Sequence, residues 1–207
     1  MYFSSKKSMR NSVYKQIEKY IEKHPGEVLI PDNFRKMESE SGVKTALMRL
    51  AKKGKIDRLA RGIYFSPKMD PLVGQVYPSM EEIARKVAAR DKATLRPTGI
   101  VALNRLGLST QVPLKQVFLT DGTPRILHIG KTTIQFKKTS PRNLSYKGKI
   151  SGLIILALAE LGSQNVSDDV LHRIAGLLSK EDKPVLKHDL TNAPRWIANL
   201  LTKQLKE

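Results

Sequence analysis

At Gly54 the hydrophobic pattern changes period, and that switch constrains the fold more than any other feature of the chain. Before it, Val43, Ala46, Leu47 and Leu50 recur at helical spacing, which puts them on one face of a helix from Val43 to Lys53. After it, Lys55–Leu59 and Ile63–Phe65 read as paired strands. Ala60-Arg61-Gly62 joins them as a tight turn in which glycine supplies a positive φ. Upstream, Val13, Ile17, Tyr20 and Ile21 mark a helix that Asn11 or Ser12 caps and Pro25-Gly26 ends. Val28-Leu29-Ile30 is a short extended run, Pro31-Asp32 opens a second short helix through Met37, and Glu38–Gly42 reads as a polar turn. Three helices followed by a β-hairpin is the order of a winged helix-turn-helix, here over residues 1–70.

Charge concentrates on the same elements. Between Lys44 and Arg61 there are seven basic residues and one acid, Asp57. Lys44, Thr45, Met48, Arg49 and Lys52 fall opposite the apolar face of the third helix. A solvated charged face is the plain alternative, but charge at both the third helix and the hairpin tip favours DNA. Lys44, Thr45 and Arg49 are then expected to read base edges, and Lys52, Lys53, Lys55, Arg58 and Arg61 to hold phosphates. Met48 is either core edge or a contact to a thymine methyl. Tyr64, beside Phe65, is expected to pack in its strand rather than bind phosphate. The whole chain carries a net charge of +18: a surplus of eight over residues 1–70, ten over 71–150 and none over 151–207. A polyanionic partner is expected for the first two thirds.

Residues 71–207 read as an α+β domain. Pro67–Pro78 is expected to be a linker. Ser79 and Glu82 form a capping box for a helix to about Asp91, and Thr98 is expected to cap another over Gly99–Leu106. Gln116–Thr120, Arg125–Ile129 and Thr132–Lys138 read as a small antiparallel meander. Helices follow over Ser151–Leu161 and, capped by Ser167, over Asp168–Leu178. Glu181–Lys187 reads as a short helical turn. A last helix capped by Asn192 carries Trp196, Ile197, Leu200, Leu201 and Leu205 as its apolar stripe.

No motif nominates an enzyme, a cofactor or a metal. The chain has no cysteine, and His24, His128, His172 and His188 are scattered. Gly130-Lys131-Thr132 resembles the end of a phosphate loop, but Arg125 stands where that loop needs its first glycine and strand-like flanks surround it. Acids are scarce between residues 71 and 150, which argues against a carboxylate-based nuclease site. The longest apolar run, Leu153–Ala159, is far short of the roughly 20 residues that span a bilayer. The first residues lack the apolar core of a secretory signal, so the expectation is a cytoplasmic protein without a membrane partner.

The stretch Ala46-Leu47-Met48-Arg49-Leu50-Ala51-Lys52-Lys53-Gly54-Lys55-Ile56-Asp57-Arg58-Leu59-Ala60-Arg61-Gly62-Ile63-Tyr64 resembles the recognition helix and wing of AbiEi-like antitoxins of type IV toxin–antitoxin (abortive infection) systems. Arg96-Pro97-Thr98-Gly99, Leu106–Pro113, Leu119-Thr120-Asp121-Gly122 and Ala193-Pro194-Arg195-Trp196 resemble that family's antitoxin domain, in the same order. The resemblance covers about residues 10–205. It implies a winged-helix domain (1–70) and an antitoxin domain (71–207), with repression of the protein's own promoter. It also implies a cognate nucleotidyltransferase-like toxin, counteracted without a necessary stable complex. Two alternatives stay open: a subunit of a nucleic-acid-processing enzyme, and a ligand-responsive winged-helix transcription regulator.

Overall fold

A computed structural model describes residues 12–110 and 115–205. Asn11 as a cap, and Gln111–Pro113 of the resemblance, lie outside them. The chain is mixed α+β and forms two compact units, divided between Lys86 and Val87. That division falls well past the expected 70/71.

In the first unit, α1 (Val13–Lys23) buries Ile17 and Ile21. β1 (Val28–Leu29) leads into a single 3-10 turn, Pro31–Phe34, in place of the expected helix through Met37. Asn33 ties off its start by accepting the Ile30 N–H at 2.9 Å. α2 runs Glu40–Lys52, so Glu40–Gly42, expected as a polar turn, is its first turn. The Ser39 hydroxyl caps it, accepting the Gly42 N–H at 3.3 Å. This turn is solvated, so no apolar residue marks it in the sequence. Val43, Leu47 and Leu50 are fully buried with Ile17, Leu29 and Phe34.

β2 (Asp57–Ala60) starts two residues later than the expected strand, and β3 is Ile63–Phe65 as expected. β1 joins them in an antiparallel sheet of order β1-β3-β2. A register shift between Arg58 and Ala60 narrows the turn to Arg61-Gly62, where Gly62 has φ +72°.

The expected linker is itself structured. β4 (Lys68–Asp70) and β5 (Gly74–Val76) form an antiparallel hairpin. Asp70 closes its turn by accepting the Leu72 and Val73 N–H groups at 2.9 and 3.2 Å. At its base Gln75 donates to Asp57 at 2.6 Å and Tyr77 stacks on Phe65. α3 (Met80–Arg90) opens with the expected capping box: the Ser79 N–H donates to Glu82 at 2.6 Å, and the Glu82 N–H donates to the Ser79 hydroxyl at 3.2 Å. Glu27 accepts from Lys86 at 2.7 Å and from Tyr20 at 2.8 Å. Burial disfavours the Glu27 charge, yet these two donors hold its carboxyl below the usual range. The Tyr20 phenol is pushed up to about 12, by burial and by its bond to Glu27.

The second unit contains β6 (Leu95–Pro97), α4 (Gly99–Arg105), β7 (Lys115–Thr120), β8 (Arg125–Ile129) and β9 (Thr132–Lys138). The expected meander is corrected: the sheet order is β6-β7-β9-β8, with β7 parallel to β9 and the other pairs antiparallel. The link 121–124 steps across two strand spacings, about 10 Å, and β9 returns into the gap after Gly130 (φ +58°). This order makes Phe118 and Phe136 register partners on one buried face. Thr98 precedes α4 but makes no capping hydrogen bond, contrary to expectation.

α5 (Pro141–Leu144), α6 (Ser151–Leu161), α7 (Asp168–Leu178), α8 (Lys183–Asn192) and α9 (Arg195–Gln204) complete the unit. Ser167 caps α7 as expected. Of the short turn expected at Glu181–Lys187, only Lys183–Lys187 is helical, as the start of the longer α8, which Asp182 caps. Asn192 ends α8 and does not cap α9, because Pro194 occupies the position before α9. α6 carries the centre of the core: Ile154, Ile155 and Leu158 pack with Ile174, Leu178, Ile197 and Leu201. Two carboxylates hold its start. Asp189 accepts from the Ser151 hydroxyl and the Gly148 N–H, and Glu181 accepts the Ile150 and Ser151 N–H groups, both at 2.8 Å.

Candidate nucleic-acid interface

All eight residues expected at a DNA interface are exposed: Lys44, Thr45, Arg49, Lys52, Lys53, Lys55, Arg58 and Arg61. They are exposed because α2 and β3 commit their apolar side chains to one core. α2 buries Val43, Ala46, Leu47 and Leu50, which turns Lys44, Thr45, Met48, Arg49 and Lys52 outward. Met48 is 57% exposed, so it is surface rather than core edge. Tyr64 is buried, which fits packing.

The eight fall into three groups. Thr45 and Arg49 line a groove of about 560 Å³ between the first turns of α1 and α2, together with Tyr14, Ser39, Ser41 and Gly42. Lys52, Lys53 and Lys55 cluster where α2 ends at Gly54. Arg58 and Arg61 belong to the β2–β3 hairpin.

Several are already engaged. Lys44 pairs with Glu40 at 2.6 Å and holds that carboxyl below its usual range through this hydrogen bond and its charge. The Thr45 hydroxyl donates to the Ser41 carbonyl at 2.9 Å. Thr45 therefore offers a partner its lone pairs and methyl group, not its proton. Lys53 lies 5.0 Å from the centre of the Tyr14 ring, and Lys55 is 3.9 Å from Glu18. Among the described residues Arg49, Lys52, Arg58 and Arg61 have no acid within ion-pair distance. The lone acid of this stretch, Asp57, accepts from Gln75.

Sequence reasoning missed Tyr14, Ser41 and Gly42. The spacing of Ser39 before Gly42 was the available signal, a serine placed to cap a helix that begins earlier than its apolar stripe.

The second unit has its own concavity, of about 350 Å³, where Thr98, Val117, Leu119, Lys137, Tyr146 and Glu160 converge. The buried Thr98 hydroxyl has no hydrogen-bond partner among the described residues. No cluster of three or more His, Asp or Glu side chains that could hold a metal is found among the described residues. No helix among them is long and apolar enough to cross a membrane.

No curated protein matches the chain. Residues 16–186 match the family of unknown function DUF6088, a stretch that begins inside α1, takes in both units and ends within α8. With most of its length matched, and the basic helix and hairpin inside the matched stretch, the chain belongs to the DUF6088 family.

Proposed function

We propose that this protein binds double-stranded DNA sequence-specifically through an N-terminal winged helix-turn-helix. On this reading it represses its own promoter and acts as the antitoxin against a nucleotidyltransferase-like toxin. The observation that carries the DNA reading is the division of α2: one face buries Val43, Ala46, Leu47 and Leu50, and the other exposes Thr45, Arg49 and Lys52. The hairpin that follows adds Arg58 and Arg61, in the place where a wing meets the backbone of a duplex. The order α1, β1, 3-10 turn, α2, β2, β3 and the three-stranded sheet β1-β3-β2 support that reading, with the 3-10 turn Pro31–Phe34 standing where its second helix is expected. The antitoxin part rests on the ordered resemblance of both units to AbiEi-like antitoxins.

Titration with duplex from upstream of the gene, against scrambled duplex over a range of salt, tests the first part. Preference for the upstream sequence is expected, and equal affinity for both overturns sequence-specific repression. Co-expression with an adjacent nucleotidyltransferase-like gene tests the second. Growth rescue by the whole chain is expected, and no rescue overturns the antitoxin part while leaving the DNA part standing.

A ligand-responsive regulator is the second reading, favoured by the cleft beside Thr98 with its unpartnered hydroxyl. A small molecule that both raises the melting temperature and changes operator affinity would favour it over the antitoxin reading.

A further inference from the structure

α8 and α9 leave an apolar groove of about 550 Å³ between them. Leu186 is buried in it, Leu190 and Ala198 are half-buried, and Leu205 stands 46% exposed. Leu186 and Leu190 are one turn apart on α8, and Leu205 follows Ala198 by two turns at the end of α9, so each helix presents a single face. Thr191 and Thr202 also line the groove, and their hydroxyls already donate to the Lys187 and Ala198 carbonyls at 2.9 and 2.7 Å. What these threonines bring to the groove is a methyl group and lone pairs, not a proton. On α8 the lining runs from Lys183 to Thr191, roughly 12 Å of helix.

The α8 side of the groove is basic. Lys183 and Lys187, one turn apart, line it and are exposed. Among the described residues neither has an acid within ion-pair distance. Residues 151–207 carry no net charge, yet the acids nearest these lysines in sequence are engaged by the fold. Glu181 accepts the Ile150 and Ser151 N–H groups, Asp182 accepts the Val185 N–H at 3.1 Å, and Asp189 is fully buried. Apolar side chains beside two uncompensated ammonium groups match a partner that is apolar along its centre and acidic along one flank.

We infer that this groove binds an amphipathic helix of another protein. The helix carries an apolar stripe at i, i+3, i+4 and i+7, and Asp or Glu along the flank that meets Lys183 and Lys187. Both walls of the groove are helices whose backbone groups bond within themselves, so an extended strand finds no ladder to join. A helix satisfies its own backbone and needs only the side-chain contact. A flat lipid surface does not fill a concave groove. Two copies of this chain paired through it would set lysines against lysines, in a protein already at +18. The inference goes beyond the DNA reading and rests on no part of it.

The test is fluorescence anisotropy of three synthetic helical peptides with the full chain, at physiological salt. The first has Leu at i, i+3, i+4 and i+7 with Glu along one flank. The second has the same composition with its leucines dispersed around the helix, and the third has Lys in place of Glu. Saturable binding of one copy of the first peptide is expected, with the other two weaker by about tenfold or more. Equal affinity for the first and second overturns the inference, because net charge alone then explains the binding. Lys183→Glu with Lys187→Glu is expected to weaken the first peptide about tenfold and to strengthen the third, since both contacts change sign. Leu205→Ser is expected to weaken the first about tenfold through lost apolar contact. All three side chains are exposed, and unchanged circular dichroism and melting check that the variants fold. Either variant binding the first peptide like the wild type overturns the inference. Arg58→Ala with Arg61→Ala is expected to leave peptide affinity unchanged, and a loss there overturns it by moving the peptide to the hairpin. Binding of phosphatidylserine vesicles without binding of the peptide overturns it in favour of lipid. A chain that ignores duplex but binds the first peptide upholds the groove while the DNA reading fails.

Discussion

The Asp189 carboxylate, fully buried, accepts the Ser151 hydroxyl at 2.6 Å and so ties α8 to the first residue of α6. It also accepts the Lys147 and Gly148 N–H groups at 2.7 and 2.9 Å. Together with Glu181 it does for α6 what a capping residue does for an ordinary helix, from a distant part of the chain. Asp189→Ala strands these donors without water or carboxylate, and a loss of about 3 kcal/mol is expected. Urea unfolding of the variant against wild type measures it, and a change of only a few tenths would show that the cluster is not structural.

The same pair makes stability depend on pH. Burial disfavours the charge of both, yet the Ser151 hydroxyl and backbone donors hold Asp189 below its usual value, and the Ser151 and Ile150 N–H groups do the same for Glu181. A folded pKa below the unfolded one adds stability that is complete above the unfolded value, roughly 4. That stability is lost as pH falls through the folded value. Unfolding free energy is therefore expected to fall on acidification below about pH 5, and to fall less steeply in Asp189→Asn. Parallel profiles for the two proteins would contradict this.

Gly99 opens α4 where it crosses α6. A Cβ there would overlap the Glu160 side chain and lie 2.6 Å from the Leu156 carbonyl, which is helix backbone and does not yield. Gly99→Ala is expected to destabilise the protein by about 1–3 kcal/mol through overpacking. Gly162, with open space around it but φ +74°, should also lose stability on the same substitution, there through backbone strain. Thermal melts of the two variants, with operator binding as a control, check both.

On the proposed DNA reading of α2, Arg49→Ala is expected to lose about 1–3 kcal/mol on the correct site while non-specific affinity holds. Competition between operator and scrambled duplex reads the ratio. Equal loss on both would make Arg49 a phosphate contact.

On the hairpin, Arg58→Ala with Arg61→Ala is expected to weaken binding to any duplex and to flatten the salt slope by about 1 per lost phosphate contact. An unchanged slope would remove both residues from the interface.

Much of the first unit was legible because its signals are local. The apolar spacing of Val43, Ala46, Leu47 and Leu50 identifies the buried face of α2, and whatever lies opposite must be exposed, so Arg49 and Lys52 followed directly. Gly62 and Gly130 mark turns because backbone at positive φ disfavours a Cβ, a property of single residues. The start of α2 escaped because a solvated first turn carries no apolar period. The β4–β5 hairpin escaped because Pro71 and Gly74 look the same in a linker and in a turn, and it is Asp57 and Phe65, distant in sequence, that hold its base.

Composition and spacing by themselves determined where the chain is basic, which faces of its helices are apolar and which residues begin most of them. Tertiary structure alone decided which strands are neighbours and which side chains meet. Phe118 and Phe136 share a buried face because β9 enters between β7 and β8, and a strand's alternation is the same for any neighbour. Asp189 reaches Ser151 because α8 packs beside the start of α6, and no spacing rule relates residues that far apart. Period and propensity act over a few residues, whereas strand order and buried hydrogen bonds are settled by how the whole unit fills its core.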